Sequence, residues 1–212
     1  QDEIVIDLLT GEARKPTEKE HIVQRMIQVL AKEYRYPLEA MQRDVKIRVA
    51  TGDGKRGNRT ADLVLFSSPS ETSLTHADRI VVVQPPGTKP NDGTKGFELL
   101  KDLLDAVPNC EFGLWTNGRD IGYFRKVSSP VESTFIELTD FPGLGESLGD
   151  LDRPDRRGGR VPVGEDMRQT ILRCHDYLYG NKSMDSKKAF WQLLQLIFCK
   201  IHDERLSTRL TA

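Results

Sequence analysis

Residues Arg79–Gln84 read Arg-Ile-Val-Val-Val-Gln and are closed by Pro85-Pro86-Gly87. Four consecutive β-branched residues are stiff at χ1 and suit a strand. Because they do not alternate with polar residues, the strand has no face to give to water. It has to lie centrally in a sheet, covered on both sides. A chain built around such a strand needs a helical layer on each face, so the expectation is an α/β fold. The prolines end the strand, since a proline lacks the N–H that a ladder requires.

The flanking pattern supplies the layers. Thr17 is placed to cap a helix, with Glu20 three residues on as a capping-box partner. Ile22, Met26 and Leu30, beside Val23, Ile27 and Tyr34, repeat at helical period, so the helix is predicted to run to about Tyr34. Val45, Ile47 and Val49 alternate with Lys46 and Arg48 and predict a half-buried strand. Residues 51–58 carry Gly52, Gly54 and Gly57 and predict a turn. Ala61–Phe66 predicts a second strand. Lys95–Ala106 predicts a helix whose stripe is Phe97, Leu100, Leu104 and Val107. Phe112–Trp115 and Ile121–Arg125 are strands about an Asn117-Gly118 turn, and Thr134–Leu138 is one more. The order is helix, three strands, helix, then further strands.

Residues 142–163 are rich in Gly, Pro, Asp and Arg and read as a linker. Helices are expected over Glu165–Leu178 and Ser186–Ile201, the second with Phe190, Leu194, Ile197 and Ile201 as its apolar stripe. The organisation expected is an N-terminal arm over 1–15, an α/β domain over 16–140, a linker over 141–164 and a helical extension over 165–212. The missing initial Met and the ending Leu210-Thr211-Ala212 suggest a piece of a longer protein.

Composition excludes several classes. The longest apolar stretches, Ile80–Val83 and Leu193–Cys199, fall far short of the ~20 residues that cross a bilayer. The acidic start has no secretory pattern. Three scattered cysteines, Cys110, Cys174 and Cys199, make no disulfide framework, so a reducing cytoplasm is expected. Lys and Arg number 31 against 32 Asp and Glu, which argues against nucleic-acid binding by bulk charge and leaves room for a local basic face.

Several fragments stand in an order that carries a resemblance: Glu20-His21-Ile22, Glu33-Tyr34-Arg35-Tyr36-Pro37, Arg59-Thr60-Ala61-Asp62-Leu63-Val64, Pro86-Gly87-Thr88 and Leu114-Trp115-Thr116-Asn117-Gly118-Arg119. Over roughly Pro16 to Lys126 the chain resembles the N-terminal domain of type I restriction enzyme R subunits. The resemblance implies a restriction-endonuclease-like core, a mixed central sheet flanked by helices, here followed by the C-terminal helical extension. Active members place an Asp on one strand and Glu-x-Lys on the next. Two carboxylates hold Mg²⁺, a hard cation that seeks oxygen, against the scissile phosphate. The Lys lies two residues after the Glu on the same strand face and stabilises developing charge. Asp62 matches the Asp. Anchored on Pro86-Gly87, the Glu position falls on Val82 and the Lys position on Gln84. No Asp or Glu occurs from Arg79 to Thr88, so a register slip restores nothing. A Gln-x-x-x-Tyr pair often seen on the following helix is replaced by Leu99 and Leu103. The implied site is vestigial: Glu20, Asp62, Val82 and Gln84, with no metal. Away from the resemblance, Glu20 reads as a capping residue, Asp62 as a strand-end Asp satisfied by backbone donors or Arg59, and Gln84 as bonded to the loop after it.

A second resemblance spans roughly Gly164 to Glu204. His175-Asp176-Tyr177-Leu178-Tyr179-Gly180-Asn181, Ala189-Phe190-Trp191-Gln192-Leu193-Leu194 and Phe198-Cys199-Lys200-Ile201-His202-Asp203-Glu204 are similar to the helical start of type I N6-adenine DNA methyltransferases. It implies a parent protein that uses S-adenosylmethionine. No cofactor loop or Asn-Pro-Pro motif is present here. The cluster Phe141-Pro142-Gly143-Leu144-Gly145 is turn chemistry, because no helix follows it directly.

Lys55, Arg56 and Arg59 are candidate phosphate contacts, with a solvated turn as the plain alternative. The arginines at 153, 156, 157 and 160 are offset by neighbouring aspartates. Trp115 and Tyr123 could stack on bases but sit where a strand packs its core. Cys199 and His202 near Cys174-His175 lack a Cys-x-x-Cys knuckle, and zinc is not expected. Three functions follow. The first is a non-cutting module that helps a restriction-modification or phage-defence enzyme engage double-stranded DNA. The second is an assembly module for restriction-modification subunits. The third is an active Mg²⁺-dependent endonuclease using Glu20 and Asp62.

Overall fold

The computed structural model describes residues 4–50, 56–129, 133–151, 173–174, 187–188 and 190–199. The chain divides into two units, Gln1–Leu151 and Asp152–Ala212.

In the first unit, α1 (Glu18–Lys32) starts where expected, with the Thr17 hydroxyl accepting from the Glu20 N–H at 3.1 Å. That is half of a capping box. The Glu20 carboxylate turns away from Thr17 to Arg43. The helix ends with Arg35 in the left-handed region (φ 64°) and the Tyr36 N–H reaching back to the Leu30 carbonyl at 3.1 Å. Its apolar stripe is Val23, Met26, Ile27 and Leu30.

Six strands form one sheet in chain order: β3 (Met41–Ala50), β4 (Arg56–Phe66), β5 (Ala77–Val83), β6 (Phe112–Thr116), β7 (Ile121–Val127) and β8 (Thr134–Leu138). Neighbours are antiparallel except β5 and β6, which run parallel and are joined by α2 (Phe97–Ala106). A parallel pair needs such a crossover. β5 is the central strand that the valine run demanded: Ile80, Val81, Val82 and Val83 are all fully buried. Their faces separate cleanly. Ile80 and Val82 join the cluster under α2 with Leu99, Leu100 and Leu103, while Val81 and Val83 join the one under α1 with Ile27 and Leu30. This is an α/β sheet with a helix on each face, the restriction-endonuclease-like core.

Two features were not foreseen. Residues of the arm form a small hairpin, β1 (Val5–Ile6) with β2 (Ala13–Arg14), packed back through the buried Asp7. The unit also runs on past residue 140 to Leu151. Phe141 is fully buried against Tyr34 and Tyr123, and the Leu144 N–H donates to the Tyr34 carbonyl at 2.9 Å. Residues 152–164 of the expected linker lie outside the described residues.

In the second unit, residues 190–199 are helical. Leu193 is buried and Leu194 and Ile197 half-buried, while Phe190 is exposed. The buried stripe therefore runs through Leu193 instead of Phe190, and Ile201 lies outside the described residues. So do residues 165–172 and 175–178 of the first expected helix.

Candidate functional site

Asp62 sits where the β4–β5 ladder ends. The last paired residues are Leu63 and Val81; one step further the strands part. The Asp62 carboxylate fills the gap by accepting the Val83 N–H at 2.7 Å through Oδ2. Its Oδ1 meets the Lys19 ammonium, from the first turn of α1, at 2.6 Å. The side chain is only 7% exposed. Burial pushes the carboxyl above its ordinary value, against the pull of Lys19 and of the Val83 N–H. Arg59, offered by the sequence as a partner, lies instead within electrostatic reach of Asp102 on α2.

By strand alternation Gln84 shares its face with Ile80 and Val82. Ile80 and Val82 are in the apolar cluster under α2, whereas Asp62 lies between Ala61 of that cluster and Leu63 of the cluster under α1, and its carboxylate meets Lys19 of α1. Val82 is fully buried under α2. Leu99 and Leu103 of α2 complete that packing. Gln84 is nearly buried, and its backbone N–H donates to the Thr116 carbonyl at 2.7 Å. Its side-chain amide makes no hydrogen bond among the described residues, so the expected bond to the following loop is absent.

Glu20 is drawn into another network. Arg43 grips both its oxygens at 3.0 Å, and Gln24 donates to Oε1 at 2.6 Å. These bonds from Arg43 hold the Glu20 carboxyl below its ordinary value. Arg43 also pairs with Asp7, which pairs with Arg14 at 2.8 Å. Burial raises the Asp7 carboxyl, but the N–H groups of Leu9 and Thr10 together with Arg43 bring it below the usual range. Glu20 thus ties the N-terminal hairpin to the sheet and does not stand free beside Asp62.

Lys19 is the residue that sequence reasoning missed. It did leave a signal. A cation in a helix's first turn opposes the positive end of the helix dipole, so it calls for an anion, and Asp62 is that anion. The Thr116–Asp120 turn is also more built than a hairpin needs. Asn117 accepts the N–H groups of Arg119 and Asp120 and donates to the Thr88 carbonyl at 2.7 Å. Gly118 holds φ 82°, and a Cβ there would lie 2.8 Å from Ile22 of α1. Trp115 is fully buried, its indole N–H donating to the Lys95 carbonyl, and is unavailable to bases.

Arg56 and Arg59 are exposed at the start of β4, and Lys55 lies outside the described residues. Cys174 and Cys199 are exposed, and His175 and His202 are outside the described residues. Among the described residues no three His, Cys, Asp or Glu side chains gather as a metal site. No helix among them is long and apolar enough to cross a membrane.

Residues 18–142 match the family model described as type I restriction enzyme R protein N terminus (HSDR_N). No curated protein and no solved structure matches the chain. The matched span stops short of residues 164–204, so the methyltransferase-like start gains no support from it. It does contain the whole six-stranded sheet, both helices and the Asp62 junction, and the chain belongs to the type I restriction enzyme R protein N-terminal family.

Proposed function

We propose that this domain helps a restriction-modification protein engage double-stranded DNA and does not cut the DNA itself. The observation that carries the reading is the state of Asp62. Of the three aligned positions only Asp62 offers a carboxylate, and both its oxygens are engaged, by Lys19 and the Val83 N–H. Mg²⁺ seeks several oxygen ligands in octahedral geometry. A buried valine, a neutral amide and a Glu20 held by Arg43 do not fit it. The Lys19 ammonium supplies instead the positive charge that a metal would bring to Asp62. Family membership supports a place in restriction-modification. Free cysteines support the cytoplasm as its location. A methyltransferase continuation, with S-adenosylmethionine as its cofactor, rests on the sequence of residues 164–204 alone.

The test is plasmid nicking with millimolar Mg²⁺ or Mn²⁺ at large protein excess, run beside anisotropy of a labelled duplex. Binding that weakens steeply with salt while the plasmid stays intact is expected. Metal-dependent nicking abolished by Asp62→Asn would overturn the reading in favour of an active nuclease.

One observation favours a second reading, docking of partner subunits. Ile121 and Val127 on β7 and Ile136 on the edge strand β8 share a sheet face and are each more than a third exposed. Duplex binding absent even at low salt would move the function there.

A further inference from the structure

The β3–β4 pair outlasts the sheet. The ladder from Val45↔Ala61 to Ala50↔Arg56 continues where β4 has left β5, whose pairing begins only at Leu63. Residues 45–50 and 56–61 are thus a two-stranded ribbon. On its inner face Ile47 and Val49 are buried in the cluster under α2, with the exposed Arg59 opposite Ile47 at the margin. Its outer face carries Lys46, Arg48, Arg56, Asn58 and Thr60, all exposed. No Asp or Glu occurs in either ribbon segment, although acids slightly outnumber bases over the chain. Among the described residues Lys46, Arg48 and Arg56 have no ion-pair partner. The buried or half-buried Arg43 and Arg79, by contrast, are each paired with a carboxylate.

We propose that the outer face of this ribbon seats in the major groove of double-stranded DNA. The site rests on the DNA-engaging reading above and names the surface that does it. Two strands about 4.8 Å apart with their side chains fit a groove about 12 Å wide. Register sets the division of labour. Lys46 lies opposite Thr60 and Arg48 opposite Asn58, so each of these two cross-strand pairs joins one cation to one neutral hydrogen-bonding group, while Arg56 lies opposite Ala50. The cations meet phosphates at the groove walls, and Asn58 and Thr60 face base edges. α2 backs the ribbon, so it is presented rigidly. The partner is identified by charge and by the acid-free outer face, which an acidic duplex complements.

The experiment is anisotropy of a labelled DNA duplex titrated with the full chain across a salt series. The wild type is compared with K46Q/R48Q and with a charge-matched control, K32Q/K101Q, off the ribbon. Two lost phosphate contacts lower the salt slope by about 1.8 and the affinity about 60-fold near 0.1 M salt. The control should leave the slope unchanged. Duplex RNA should compete poorly, because its deep, narrow major groove does not admit the ribbon. Wild-type binding that falls equally in both variants means diffuse charge and overturns the ribbon while keeping DNA as partner. Equal competition by RNA overturns groove insertion. Self-association of K46Q/R48Q with DNA affinity intact shows that the cations only guard an edge strand, and overturns it too. A wild type that binds no duplex at low salt removes the DNA reading and this site with it.

Discussion

Asp62 can be tested by separating what its carboxylate does for the backbone from what its charge does. Asp62→Ala removes the acceptor of the Val83 N–H, which is buried where β4 and β5 part. An orphaned buried donor costs about 1–3 kcal/mol. Asp62→Asn keeps a carbonyl oxygen for that N–H. It loses the Lys19 pair, but Lys19 is 38% exposed and returns readily to water, so that loss is a few tenths of a kcal/mol. It also removes a carboxylate that burial disfavours. The alanine variant should therefore be less stable than the asparagine variant by about 1–2 kcal/mol, or about 3–6 °C in Tm for a chain of this length. Urea titration followed by tryptophan fluorescence reads this, because Trp115 is fully buried in the native state while Trp191 is already exposed. The pH dependence adds a second arm. A carboxyl raised in the folded state binds its proton more tightly there than in the unfolded chain. Wild-type stability therefore falls as pH rises from the ordinary value of 3.8 to the raised one. Asp62→Asn lacks that loss, so its stability relative to wild type should improve from acid toward neutral pH. Equal destabilisation by Asn and Ala would refute the reasoning. So would a Tm raised by Mg²⁺ in the wild type but not in Asp62→Asn, since ligand binding stabilises by mass action.

Other consequences are as direct. Glu20→Gln weakens a nearly buried bidentate pair with Arg43 and should cost about 2–3 kcal/mol at neutral pH. The Glu20 carboxyl is lowered by folding, so this deficit should shrink as pH falls below 4.5; a deficit constant with pH would count against the pair. Lys126 is buried, and its ammonium donates to the carbonyls of Leu104, Val107 and Pro108 at the end of α2. Lys126→Met orphans them at about 2 kcal/mol, read as a lower urea midpoint, and an unshifted midpoint would sink the capping role. Cys110 is buried with its thiol pushed up to about 12, so a thiol reagent should label Cys174 and Cys199 in the native protein and reach Cys110 only after unfolding.

Much of this protein was legible in its residues. The valine run of 80–83 required a doubly covered strand, and helical periodicity located both covering helices, because burial leaves its imprint on the residue types of a single element. The lack of any Asp or Glu from Arg79 to Thr88 was equally plain. Tertiary structure alone decided the partners. Which cation would meet Asp62 depended on where the first turn of α1 arrives over the β4–β5 junction, and sequence distance says nothing of that: the answer was Lys19 and not the nearby Arg59. Glu20 fitted a capping box by spacing, yet a buried Arg43 from β3 outcompeted the exposed N-cap for its charge. Lys46 and Arg48 looked like the solvent side of an ordinary strand. Only the parting of β4 from β5 at Asp62 turned that strand and its neighbour into a ribbon with one open, cationic face.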